Sequence, residues 1–194
     1  MTSDPDPGLR PQRQILLLRA VNVGGNTKVP MSDLRRIVTE AGATAVVTHL
    51  NSGNVMCTAS TSPQTTAAAV EAALEAAFGR RIPVVARTAQ DLAQVVERNP
   101  LRDVVSHPSR YYISFLSAEP DPARLQAAVT EAERIGRPDR GEQWRVLGRE
   151  IYQWIPGGVH ESKLPNAFSD KRLGVIVTGR NWNTIEALLA LATR

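Results

Sequence analysis

One order of elements, strand, helix, strand, strand, helix, strand, helix, can be read twice along this 194-residue chain, and it narrows the folds open to it more than any single motif. In the first pass Ile15 to Leu18 is an unbroken apolar run, as expected of a strand covered on both faces. Ser32 is placed to cap a helix whose apolar positions Leu34, Ile37, Val38 and Ala41 share a face, and Gly42 ends it. Ala45 to Leu50 and Val55 to Ala59 read as a hairpin across the polar turn Asn51-Ser52-Gly53-Asn54. Pro63 opens a helix along Val70, Ala73, Leu74 and Phe78 that stops at Gly79, and Pro83 to Arg87 is a strand. Thr88 with Asp91 then forms a capping box for a helix closed by Asn99-Pro100.

The second pass begins after a connector. Tyr111 to Leu116 is a strand, Asp121-Pro122 start a helix along Leu125, Ala128, Val129 and Ala132, and Trp144 to Leu147 pairs with Ile151 to Ile155 across Gly148-Arg149. A short helix falls near Pro165 to Leu173, Val175 to Thr178 is the last strand, and Asn183 with Glu186 is expected to cap the last helix. No motif repeats between the halves; what repeats is the pattern. Split β-α-β units of this order form four-stranded antiparallel sheets with helices on one face. The expectation is therefore an α+β chain of two tandem ferredoxin-like (βαββαβ) subdomains, 14–100 and 110–194, with a connector at 101–109 and a disordered polar tail at 1–13.

Composition excludes some chemistry. No apolar stretch is long enough to span a bilayer, and the proline-rich start lacks the apolar segment of a signal peptide, so no membrane partner is expected and the location is read as cytoplasmic. Cys57 is the only cysteine, which rules out an intrachain disulfide or a cysteine-cluster metal site. His49, His107 and His160 lie in separate segments without metal-ligand spacing, so no metal is expected, and no pattern names a cofactor. A net charge of +4 leans toward anionic partners. Oligomeric state is not legible.

The polar residues gather at loops. The first strand runs into Arg19, Asn22 and the pair Gly24-Gly25, without the spacing of a dinucleotide or P-loop motif. In the expected topology Asn22 to Lys28 lies beside Asn51 to Asn54, and Gly157 to Lys163 lies near Thr178 to Asn183. The candidate ligand-binding set is Arg19, Asn22, Gly24, Gly25, Lys28, Asn51, Ser52, Gly53 and Asn54, completed by Lys163 and Arg180, with Ser162, Asn166, Asn181 and Asn183 near the second locus. Guanidinium and ammonium groups hold phosphate or carboxylate and amides read donor and acceptor patterns, so the set suits a small anionic or nucleotide-like ligand. The same asparagines can instead cap turns.

Two other function classes stay open. Tyr111, Tyr112, Phe115, Tyr152 and Trp154 lie on the two central strands of the second half, where aromatics stack the bases of RNA or single-stranded nucleic acid in some modules, or serve as core. Ser52 or Ser162 with Lys28 or Lys163 would make a serine and lysine pair for a hydrolase or transferase, although Glu161 is the only acid near either locus.

The segments Leu18-Arg19-Ala20-Val21-Asn22-Val23-Gly24-Gly25, Lys28-Val29-Pro30-Met31, Asn51-Ser52-Gly53-Asn54-Val55, Ser162-Lys163-Leu164 and Thr178-Gly179-Arg180-Asn181-Trp182-Asn183-Thr184 resemble, in that order, the bacterial domain-of-unknown-function 1697 family. The family's opening motif carries glycine where this chain has Ala20. The resemblance implies paired ferredoxin-like subdomains and no established activity.

Overall fold

The computed structural model of the protein describes residues 10–22 and 28–193. It is a mixed α+β structure with two four-stranded antiparallel sheets. The chain divides into two compact units, Met1–Gln94 with Leu188–Arg194, and Val95–Ala187.

The first unit contains β1 (Gln12–Leu18), α1 (Met31–Glu40), β2 (Thr44–His49), β3 (Asn54–Ala59), α2 (Pro63–Phe78), β4 (Val84–Thr88) and the start of α3 (Ala89–Glu97). Its strands lie in the order β2-β3-β1-β4. β1 is central, and Ile15 to Leu18 are all buried, as an apolar run without alternation requires. On one face Leu16, Leu18, Val55, Cys57, Val84 and Ala86 pack with Leu34, Ile37 and Val38 of α1 and Val70 and Leu74 of α2. β1 starts at Gln12, ahead of the apolar run, because Gln12 and Arg13 pair with Ala59 and Thr58 through main-chain groups that need no apolar side chain.

The helix ends show which local signals act. The Ser62 hydroxyl accepts the Thr65 N–H, Pro63 holds the first position of α2, and Gly79 closes it at a φ of 67°. α1 differs from the expectation. It begins at Met31 with no side-chain cap; Pro30, whose ring fixes φ at −60°, leads into it, and Ser32 falls inside the first turn. The edge strand β2 carries an irregularity between Thr44 and Val47, with Ala45 left-handed at a φ of 50°. Such a bulge bends an exposed edge away from partners.

The second unit contains β5 (Tyr111–Leu116), α4 (Pro122–Ile135), β6 (Gln143–Leu147), β7 (Glu150–Trp154), α5 (Leu164–Ala167), α6 (Asp170–Leu173), β8 (Val177–Asn181) and most of α7 (Trp182–Ala192). Its strand order is β6-β7-β5-β8. Leu116, Ile151 and Ile155 pack with Ala128 and Ala132 of α4, Leu164 and Ala167 of α5, Phe168 and Leu173. Asp121 caps α4 by accepting from the Ala123 and Arg124 N–H groups. The single short helix expected near 165–173 is two four-residue helices with a break at Phe168 and Ser169. α7 starts two residues earlier than read: β8 runs straight into it, and its cap is the Asn181 oxygen, which accepts the Thr184 N–H at 3.0 Å, in place of Asn183.

Candidate functional site

In the first unit the chain leaves β1 through Arg19 and returns at Lys28, and both ends of this excursion are fixed by hydrogen bonds. Leu18 N–H donates to Gly53 O at 2.8 Å and Arg19 N–H to Pro83 O at 2.9 Å. Asn22 closes the excursion: its Nδ2 donates to Val29 O at 3.0 Å, and its Oδ1 accepts Val29 N–H at 2.9 Å. Nδ2 also donates to Asn51 O at 2.6 Å, which ties this loop to the turn between β2 and β3. The proximity of the Asn22 and Asn51 segments expected from topology is thus made by one amide.

The backbone here is unusual. Among the described residues four non-glycine residues have positive φ, and three lie in this locus: Ala20 at 54°, Asn22 at 56° and Leu50 at 57°. Left-handed backbone costs an alanine or leucine about 1 to 2 kcal/mol per residue. Gly53 is also left-handed, and a Cβ there would meet Leu18 Cβ at 2.7 Å and collide with Val21 Cγ2. Its bare backbone therefore admits β1. Asn54 is buried, and its Nδ2 donates to His49 O at 3.0 Å and Ser52 Oγ at 2.9 Å. Of the candidate set in this unit, Arg19, Asn22, Lys28 and Asn51 are exposed, Ser52 is half-buried, and Gly53 and Asn54 are buried; Asn22, Gly53 and Asn54 build the scaffold. Gly24 and Gly25 lie outside the described residues.

The remaining candidates belong to the second unit. Lys163 is exposed and precedes α5. Arg180 is buried on β8, where its Nη1 donates to Thr178 Oγ1 at 2.9 Å and Gly179 O at 2.8 Å, and burial pulls its pKa down to about 10. The register places Trp154 opposite Tyr111 and Asn181 opposite Tyr112, so β7 and β8 both exit at the start of β5. Ser162 Oγ accepts the Leu164 N–H at 3.0 Å in the turn before α5, and Asn181 caps α7, so both are engaged with the main chain.

The aromatic residues do not form a nucleic-acid face. Tyr111, Phe115, Tyr152 and Trp154 are buried, and Tyr112 is half-buried within the helix-side core. Tyr111 donates to Asn99 Oδ1 at 2.6 Å, Tyr152 donates to Val95 O at 3.0 Å, and the Tyr111 ring lies 5.0 Å from that of Trp182. Burial pushes both phenols above their usual pKa, and bases cannot reach rings packed in this way. Among the described residues no group of three or more histidine, cysteine, aspartate or glutamate side chains could hold a metal ion.

Sequence reasoning missed Leu50, 58% exposed at the turn, and Arg87, a fully buried guanidinium on β4. The signal for Leu50 was the length of the connection from His49 to Asn54, too long for a two-residue hairpin turn. Arg87 had none, because an arginine at a strand end ordinarily reads as exposed.

The model of the family described as "Protein of unknown function (DUF1697)" matches residues 12–152. Among solved structures, the conserved bacterial protein SP0830 from Streptococcus pneumoniae is similar, with a TM-score of 0.75 and 20% identity over 95% of this chain and 100% of that one. At that identity the likeness shows the fold alone. No curated protein matches the sequence. Among the described residues no helix is long and apolar enough to cross a membrane.

Proposed function

We propose that this chain, which belongs to the DUF1697 family of proteins of unknown function, binds a small anionic or nucleotide-like ligand where the loop after β1 meets the turn between β2 and β3. The observation that carries the reading is the concentration of left-handed backbone at Ala20, Asn22 and Leu50, joined through the Asn22 amide. Strain of this kind persists where the surroundings over-determine it, and it clusters at ligand clamps. Arg19 and Lys28 stand exposed at the two ends of the excursion, which supplies the charge an anion needs. The strand orders β2-β3-β1-β4 and β6-β7-β5-β8 support the finer reading of both units as ferredoxin-like.

The test is a thermal-shift screen of the protein, Arg19→Gln and Lys28→Gln against nucleotides, sugar phosphates and small carboxylates. A ligand at one hundred times its Kd stabilises the native protein by about 2.7 kcal/mol. The expected result is a hit whose shift is lost in both variants while their unliganded melting temperatures stay near wild type. A hit retained in full by both variants, or no hit in any class, overturns the proposal.

A further inference from the structure

We propose that the cavity between α4 and the edge strand β6 binds a small organic cation carrying an aromatic or other apolar body. The cavity has a volume of about 690 Å³, within the range of about 300 to 1,000 Å³ that small-molecule sites occupy. Its floor is apolar: Val129 and Ala132 from α4, and Trp144 and Val146 from β6. Strand alternation puts those two β6 side chains on the helix side, since Trp144 lies opposite Gln153 and Val146 opposite Ile151. Trp144 also packs edge to face with Phe168, with ring centroids 5.3 Å apart, so its ring is held as a fixed wall.

The polar groups of the lining decide the sign of the ligand. Two arginines are present, and taken alone they would favour an anion. Each is turned to a main-chain carbonyl, however: Arg137 Nη2 donates to Glu161 O at 2.7 Å and Arg145 Nη1 to Trp144 O at 2.7 Å. Of the two carboxylates, one is likewise bonded to the main chain and the other is open to the cavity. Glu142 accepts the Arg137 N–H through Oε2 at 2.9 Å, and Glu133 is exposed at the cavity, outside the ion pairs that Glu131 makes on the same helix. An ammonium group can meet these acceptors while its apolar part lies on Trp144, whose ring face attracts cations. This site lies wholly in the second unit and is independent of the anion reading of the first.

The test uses three probes with one ring, phenethylamine, 2-phenylethanol and phenylacetate, titrated by calorimetry at low ionic strength into the full chain. The amine is expected to bind at least tenfold tighter than the alcohol, and phenylacetate weakest. Glu133→Gln, an exposed substitution, should bring the amine close to the alcohol, and Val129→Phe, which fills the cavity, should abolish binding of both. Adding salt should weaken the amine alone. Absence of saturable amine binding overturns the proposal, as does equal binding of the three probes. So does a Glu133→Gln protein that binds the amine as wild type does, whatever the fate of the Val129→Phe protein.

Discussion

The left-handed alanine after β1 isolates a local energy term. Ala20 has a φ of 54° and an exposed side chain, so glycine there would relieve strain without removing packing. Strain relief of about 1 to 2 kcal/mol is opposed by about 0.4 to 1 kcal/mol from the freer unfolded chain. Ala20→Gly is therefore expected to raise unfolding stability by about 0.5 to 1 kcal/mol, measured by urea denaturation; a loss of stability would show that the methyl group has a packing role. The neighbouring residues show how far single letters can be read. The sequence marks Asn22 and Asn54 as polar residues at a turn, but an asparagine carries two donors and an acceptor that serve ligand and backbone equally well. Only the fold shows that Asn22 bonds Val29 and Asn51 and that Asn54 bonds His49 and Ser52.

Local capping signals act as read at α3 and α4 but not at α1 or α7, where Ser32 and Asn183 are not the caps. The Thr88 and Asp91 box forms reciprocally, Thr88 N–H to Asp91 Oδ2 and Asp91 N–H to Thr88 Oγ1, each at 2.9 Å. Asp121 caps α4 for the same reason. Asn181 escaped notice because it is both the last residue of β8 and the cap of α7, and sequence patterns treat those roles as exclusive. Between α4 and α6 the contact is ionic at its rim: Glu131 accepts from Arg134 Nε at 2.6 Å and Arg172 Nη2 at 2.9 Å. The hydrogen bond from Arg134, aided by both charges, holds the Glu131 carboxyl below its usual pKa. In the unfolded chain that carboxyl protonates at its ordinary value, so the tie contributes stability above that pH and is lost as pH falls through the lower folded value. Comparing Glu131→Gln with wild type across acid pH should show a stability difference at neutral pH that vanishes in acid; a constant difference would contradict the linkage.

At the scale of the molecule, the two sheets repeat one strand order although no sequence motif repeats, because the order follows from apolar spacing and turn placement, not from particular letters. The division of the chain was harder to read, since residues of α7 from Leu188 onward count with the first unit. Arg13 Nη1 donates to Leu191 O at 3.4 Å, and Leu188 is 1% exposed. Leu188→Ala should therefore cost about 2 to 5 kcal/mol and speed amide exchange in β1, far away in sequence. Exchange that quickens only around β5 would show that Leu188 supports the other unit. The same arrangement sets an order of assembly on the ribosome. The first unit's four strands and the core from Leu16 to Ala86 are all present once β4 has emerged, whereas Leu188 onward can join that unit only after the end of α7 has left the exit tunnel, so the part of the molecule begun first receives its last piece at the end.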